Sequence, residues 1–124
     1  MSKHVDLVNE AYAAFARGDI PAILELLDDH VDWSSPKTLP HGGHFSGRDG
    51  VLEFFQGIGV EWDSLGLEIE GVGEAGPDLV LARVSASGVR KGGGAAGYGA
   101  AHTFEFSGGK ITSFREYVDL DFAL

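Results

Sequence analysis

Apolar residues recur at helical spacing from Lys3 to Arg17, where Val5, Val8, Ala11, Tyr12, Phe15 and Ala16 fall on one side of a 3.6-residue period. This predicts an amphipathic helix, with Ser2 as its candidate N-cap and Gly18 just past its end. Asp19 and Pro21 then open a second helix carrying Ile23, Leu24, Leu26 and Leu27, expected to end near Asp28-Asp29. His30 to Ser34 reads as a short strand, and Pro36 to Gly47, rich in Pro and Gly, as a loop. Ser46-Gly47-Arg48-Asp49 looks like a capping box with Asp in place of Glu. It opens a third helix through Val51, Leu52, Phe54, Phe55 and Ile58, with Gly57 and Gly59 expected to end it.

The period then changes to two. Leu65, Leu67 and Ile69 alternate with Gly66, Glu68 and Glu70. Leu79 to Val89 places Leu79, Leu81, Arg83, Ser85 and Ser87 on one face and Val80, Ala82, Val84, Ala86 and Gly88 on the other. Arg90 to Gly97 is a glycine-rich connection, expected to be mobile; it lacks the strand–helix context of a phosphate-binding loop. Gly108-Gly109 marks a hairpin turn. Counting outward from it pairs Phe106 with Ile111, Phe104 with Ser113, His102 with Arg115, Ala100 with Tyr117 and Tyr98 with Asp119. That face grades from apolar to polar, which fits a pocket wall and equally a half-exposed strand.

Helices first and a meander afterwards give an α+β fold: three N-terminal helices packed into a strongly curved antiparallel sheet, one domain over residues 1–124. Such a sheet would enclose a cavity suited to a small hydrophobic molecule.

Composition narrows the partners. The 124-residue chain carries a net charge of −10, which argues against nucleic acid and anionic membrane. It contains no cysteine, so neither a disulfide framework nor a thiolate metal site is available. The polar start Met1-Ser2-Lys3-His4 shows no signal peptide, and no spanning segment is visible, so a cytoplasmic location is expected.

In this order and spacing, Tyr12 to Asp19, Asp32-Trp33, Gly47 to Phe55, Gly109-Lys110-Ile111 and Arg115 to Asp119 resemble the nuclear transport factor 2-like superfamily. That superfamily includes ketosteroid isomerase, limonene epoxide hydrolase, scytalone dehydratase and the SnoaL-like polyketide cyclases. The resemblance to SnoaL-like cyclases implies a catalytic Asp at Asp119. The resemblance to limonene epoxide hydrolase implies a partner Arg at Arg83, but Ser85 stands where its second Asp would be, and Trp33 and Ser35 replace its water-holding Tyr and Asn. Against ketosteroid isomerase, Ser35 replaces the Asp base and His102 the oxyanion-hole Asp. The family commonly dimerises through the outer sheet face, and Phe114 and Val118 are expected there.

The candidate catalytic residues are therefore Asp119, His102 and Arg83. Candidate substrate contacts are Trp33, Tyr117, Tyr98, Phe15, Phe54, His41 and Ser35. His41 and His44 form a His-x-x-His on a Gly-Pro loop without helical context, so they are placed at the pocket mouth or in solvent rather than on a metal. No cofactor is expected. Three functions fit: cofactor-free acid–base catalysis on a small carbonyl or hydroxyl compound, ligand binding without turnover, and dimeric assembly.

Overall fold

The computed structural model describes residues 3–118. The chain runs α1 (Lys3–Ala16), α2 (Ile20–Glu25), β1 (Leu27–Ser35), β2 (Gly43–Ser46), α3 (Gly47–Glu61), β3 (Trp62–Gly76), β4 (Leu79–Arg90), β5 (Ala95–Ser107) and β6 (Lys110–Val118). α1 buries Val8 and Ala11 of the predicted stripe, and Ala14 beside them. Asp19 caps α2 as expected, its Oδ1 accepting from the Ala22 N–H at 3.2 Å.

Two helix ends differ from expectation. α2 stops at Glu25, because Leu27 is already a strand residue, fully buried and paired with Ile111. α3 does not stop at Gly57 or Gly59 but continues to Glu61. A helix-interior glycine costs about 1 kcal/mol relative to alanine. The buried face of Val51 and Phe54, with Phe55 and Ile58 packed beside it, outweighs that. Ser46 is the α3 N-cap, but its side chain makes no capping bond, so the expected capping box does not form.

The six strands form one sheet in the order β2-β1-β6-β5-β4-β3. It is mixed rather than wholly antiparallel, because β1 runs parallel to β6. The third helix also follows two strands instead of preceding the sheet. The extra strand is β2, read from sequence as loop, which pairs antiparallel with β1 from Asp32↔Ser46 to Ser35↔Gly43. The glycine-rich connection is half strand: β4 reaches Arg90 and β5 starts at Ala95, with Arg90 N–H bonded to the Gly94 carbonyl at 3.2 Å. α1 packs on β3 and β4, and α3 on β1, β2 and β3. Val8, Leu27, Val31, Trp33, Val51, Phe104 and Phe114 belong to the core between them.

The hairpin register decides what faces that core. Gly108 and Gly109 take φ of 59° and 78°, so the turn is the expected one. Phe106 pairs with Ile111, also as expected, but Glu105 then pairs with Ser113. Thr112 is an extra residue on β6, a β-bulge, and its hydroxyl donates to the Glu105 carbonyl at 3.2 Å. Beyond it every residue of β6 is turned over relative to the simple count. Phe104 pairs with Phe114 and His102 with Glu116, while Arg115 lies opposite Thr103 and Tyr117 opposite Ala101. Phe114, expected on the outer face, is 4% exposed inside the core.

Candidate functional site

Helix periodicity places Tyr12 one turn beyond Val8, on the side of α1 that meets the sheet. Its hydroxyl lies 2.7 Å from His102 Nδ1 on β5. His102 Nε2 lies 3.0 Å from Glu116 Oε2 on the neighbouring strand, and the hydroxyl of Ser35, the last residue of β1, donates to Glu116 Oε1 at 2.6 Å. Four elements thus contribute to one continuous chain of hydrogen bonds, in which Ser35, His102 and Glu116 are buried.

The charges follow from this geometry. Burial pushes the Glu116 carboxyl up, but hydrogen bonds from His102 and Ser35, with the nearby imidazoles, hold it below the usual carboxylate range. Glu116 is therefore an ionised carboxylate that accepts at both oxygens. Burial, reinforced by the Glu116 charge, pushes the Tyr12 phenol far above its ordinary value, and the same causes raise Tyr98. Both remain protonated phenols. With Glu116 accepting from Nε2–H, Nδ1 is the ring nitrogen left to accept the Tyr12 O–H.

His41 reaches the same region from the connection after β1. Leu39 N–H bonds to the Pro36 carbonyl and Gly42 N–H to the Leu39 carbonyl, each at 3.0 Å. Only glycine fits at Gly42, since a Cβ would stand 1.8 Å from the Pro36 oxygen. The turn buries His41, whose Nδ1 accepts from the Trp62 indole N–H at 3.1 Å. Burial lowers the His41 pKa.

These groups surround a cavity of about 70 Å³ whose other walls are mainly apolar, among them Phe15, Trp33, Phe54, Phe55, Phe104 and Phe114. A second pocket of about 400 Å³ between α1 and β3 shares Tyr12, Phe15, Leu65 and Leu67 with it.

Of the residues singled out from sequence, His102, Trp33, Tyr98, Phe15, Phe54 and His41 line this cavity. Ser35 sits behind it on Glu116. Arg83 does not face it: Val80, Ala82, Val84 and Ala86 are the inward residues of β4, and Arg83 on the opposite face stands 3.6 Å from Glu70. Tyr117 is 56% exposed, because the bulge at Thr112 turns it outward. Asp119 lies outside the described residues. His41 and His44 diverge: His41 is buried on Trp62, whereas exposed His44 bonds to Asp32. Among the described residues, no group of three or more His, Asp or Glu could hold a metal ion.

Two members of the site escaped the sequence reading. Tyr12 was counted as an apolar packing position, and its hydroxyl was the neglected signal. Counting from the turn without the bulge sets Arg115, not Glu116, opposite His102 and so leaves Glu116 on the other face.

The SnoaL-like domain profile matches residues 8–114. The chain belongs to the SnoaL-like domain family. No curated protein matches this SnoaL-like chain. Among solved structures, it is similar to a nuclear transport factor 2-like protein of unknown function from Burkholderia pseudomallei, with 25% identity and a TM-score of 0.89 over 99% of this chain and 95% of that one. It shares the fold of TerC co-crystallised with polyporic acid, at 22% identity and a TM-score of 0.84 over 98% and 95% of the two chains. It also shares the fold of a Mycobacterium tuberculosis protein in complex with estradiol-17β-hemisuccinate, at 21% identity and a TM-score of 0.81 over 98% and 97%.

Proposed function

We propose that this SnoaL-like domain takes a small hydrophobic carbonyl or hydroxyl compound into its cavity and performs cofactor-free acid–base chemistry on it. The observation that carries this reading is the buried Tyr12–His102–Glu116 chain in an otherwise apolar wall. A buried carboxylate is costly unless paired, and this one is paired with the imidazole that contacts Tyr12.

A proton leaving the substrate passes to the Tyr12 oxygen while the Tyr12 proton moves to His102 Nδ1. Glu116 stabilises the imidazolium that forms, as a carboxylate does behind a catalytic histidine. Reversal returns the proton elsewhere on the substrate, which is an isomerisation, or to a leaving hydroxyl, which is a dehydration. The Tyr12 phenol is held too high to act as a free phenolate, so it works as a relay for His102. Asp119 stays in the proposal as a second acid–base group, from the family resemblance. Ligand-bound proteins of the same fold support the pocket: one was crystallised with polyporic acid and one with an estradiol ester.

A non-catalytic ligand-binding module is the second reading. It is favoured by the way Ser35, His102 and Tyr12 satisfy Glu116 and one another without a ligand. We further place the protein in the cytoplasm, as a homodimer joined through the outer sheet face, where Leu81, Val89 and Tyr117 are exposed. No helix among the described residues is long and apolar enough to cross a membrane.

The deciding experiment screens small aromatic ketones, hydroxyketones and epoxides, first for binding by thermal shift and then for turnover by wild type and His102→Gln. Turnover lost in a folded, ligand-binding His102→Gln variant supports catalysis. Compounds that bind both proteins and are never converted support the binding module.

A further inference from the structure

Among the cavity side chains, Tyr12 commits its hydrogen to His102, but two others make no such commitment. Trp33 is 5% exposed, and its Nε1–H is buried without a hydrogen-bond partner. The ring is held in place, stacked on Phe114 at 4.1 Å and flanked by Phe54 and Phe55 at 5.6 and 5.8 Å. Buried N–H groups are seldom left unpaired in a folded protein, so this one calls for an acceptor.

His41 provides the second donor. The Trp62 indole can only donate, so His41 Nδ1, 3.1 Å away, must accept and carries no proton. Burial keeps the ring neutral, and its proton therefore sits on Nε2. That N–H bonds to none of the described residues. The nearby carboxylate bonds to neither donor: its two oxygens accept from Ser35 and His102. Trp33 and His41 both line the same small cavity.

We propose that the Trp33 Nε1–H and the His41 Nε2–H form a two-donor site for one carbonyl oxygen of the bound molecule. This rests on the reading of the cavity as a pocket for a small apolar carbonyl compound, and it names the ketone or aldehyde oxygen as the group recognised. The site prefers an acceptor oxygen to a hydrocarbon of equal shape. It also has a role in the reaction. When a proton leaves the carbon beside the carbonyl for the Tyr12–His102 chain, the electron pair of that C–H bond moves onto the oxygen as an enolate. Donors already in place bind that developing charge more strongly than the neutral carbonyl. Trp62, whose indole N–H donates to His41 Nδ1, is the positioning residue that fixes which nitrogen carries the proton.

The test uses acetophenone and α-methylstyrene, which differ in shape only by an oxygen exchanged for a CH₂. The chain has two tryptophans, so the indole ¹⁵N–¹H spectrum holds two side-chain peaks, and Trp33→Phe assigns them. Acetophenone is expected to move the Trp33 indole proton downfield and to bind about tenfold more tightly than α-methylstyrene. Trp33→Phe and His41→Phe should each reduce that preference. If both probes bind equally and the Trp33 peak moves alike with each, the oxygen site is overturned while the apolar pocket stands. If neither probe binds, the pocket reading falls and the oxygen site with it. Should the variants fail to fold, the wild-type peak and the wild-type preference still decide.

Discussion

His102 Nε2 stands 3.0 Å from Glu116 Oε2 across the β5–β6 pair, with both side chains 5% exposed. Their meeting depends on one extra residue, Thr112, since without the bulge Arg115 would lie opposite His102. Deleting Thr112 is therefore predicted to force residues 113 to 118 to choose between their hydrogen-bond register and their buried face. The expected result is a large drop in melting temperature, with loss of the Tyr12–His102 contact in any folded fraction. A deletion variant as stable as wild type, with His102 still paired to Glu116, would contradict the role given to the bulge.

Removing the carboxylate tests how the buried pair is held. Glu116→Ala leaves Ser35 and His102 without their acceptor and should cost about 3–5 kcal/mol. Glu116→Gln keeps the shape and one acceptor and should cost less. Urea titration measures both, and equal effects would show that the charge carries no part of the interaction.

The pH dependence has a definite sign. Glu116 is held below its unfolded value, so its contribution is present above the ordinary carboxylate range near 4.3 and is lost as pH falls through the folded value. His41 is also lowered. Its neutral form therefore stabilises the fold above about 6.5, and that contribution fades as pH falls below it. Stability should decline in two stages on acidification. The upper stage should vanish in His41→Phe and the lower in Glu116→Gln. A wild-type stability curve flat from pH 7 to pH 4 would refute the His41 assignment, and one that stays flat on further acidification would refute that of Glu116.

Gly42 supplies the turn that buries His41. Gly42→Ala sets a methyl against the Pro36 carbonyl and is expected to cost roughly 1–3 kcal/mol. It should also shift the His41 ring resonances. An unchanged His41 spectrum would mean that the turn does not set the ring's place.

Much of the fold was legible because its signals are local. The stripe from Val8 to Phe15, the Asp19 cap and the Gly108-Gly109 turn each announce themselves within a few residues. What was not legible depends on distant pairing. β2 is four residues long beside a Pro- and Gly-rich stretch, and its strand character comes from lying against β1. The parallel β1–β6 pairing joins residues about eighty positions apart. The bulge at Thr112 carries no glycine to mark it, and one uncounted residue moved Tyr117 outward and Glu116 inward. Arg83 was misplaced for a different reason. β4 has small or apolar residues on both faces, so alternation alone could not say which face is buried.

The proposed dimer face makes its own prediction. Leu81 and Tyr117 are exposed on the outer side of the sheet, at 47% and 56%. Tyr117→Lys combined with Leu81→Lys should convert a dimer to monomer in sedimentation equilibrium without changing ligand binding in the cavity. A wild-type monomer at high micromolar concentration would sink the interface.

The most direct measurement is deuterium incorporation at the carbon beside the carbonyl, for the aromatic ketones the protein binds, by wild type, Tyr12→Phe and Glu116→Gln in D₂O. The buried chain predicts exchange by wild type about 10²–10⁴-fold faster than by either variant, with ligand affinity changed far less. Exchange that survives both substitutions, or wild type that binds these ketones and exchanges none of them, would contradict acid–base catalysis through Tyr12, His102 and Glu116.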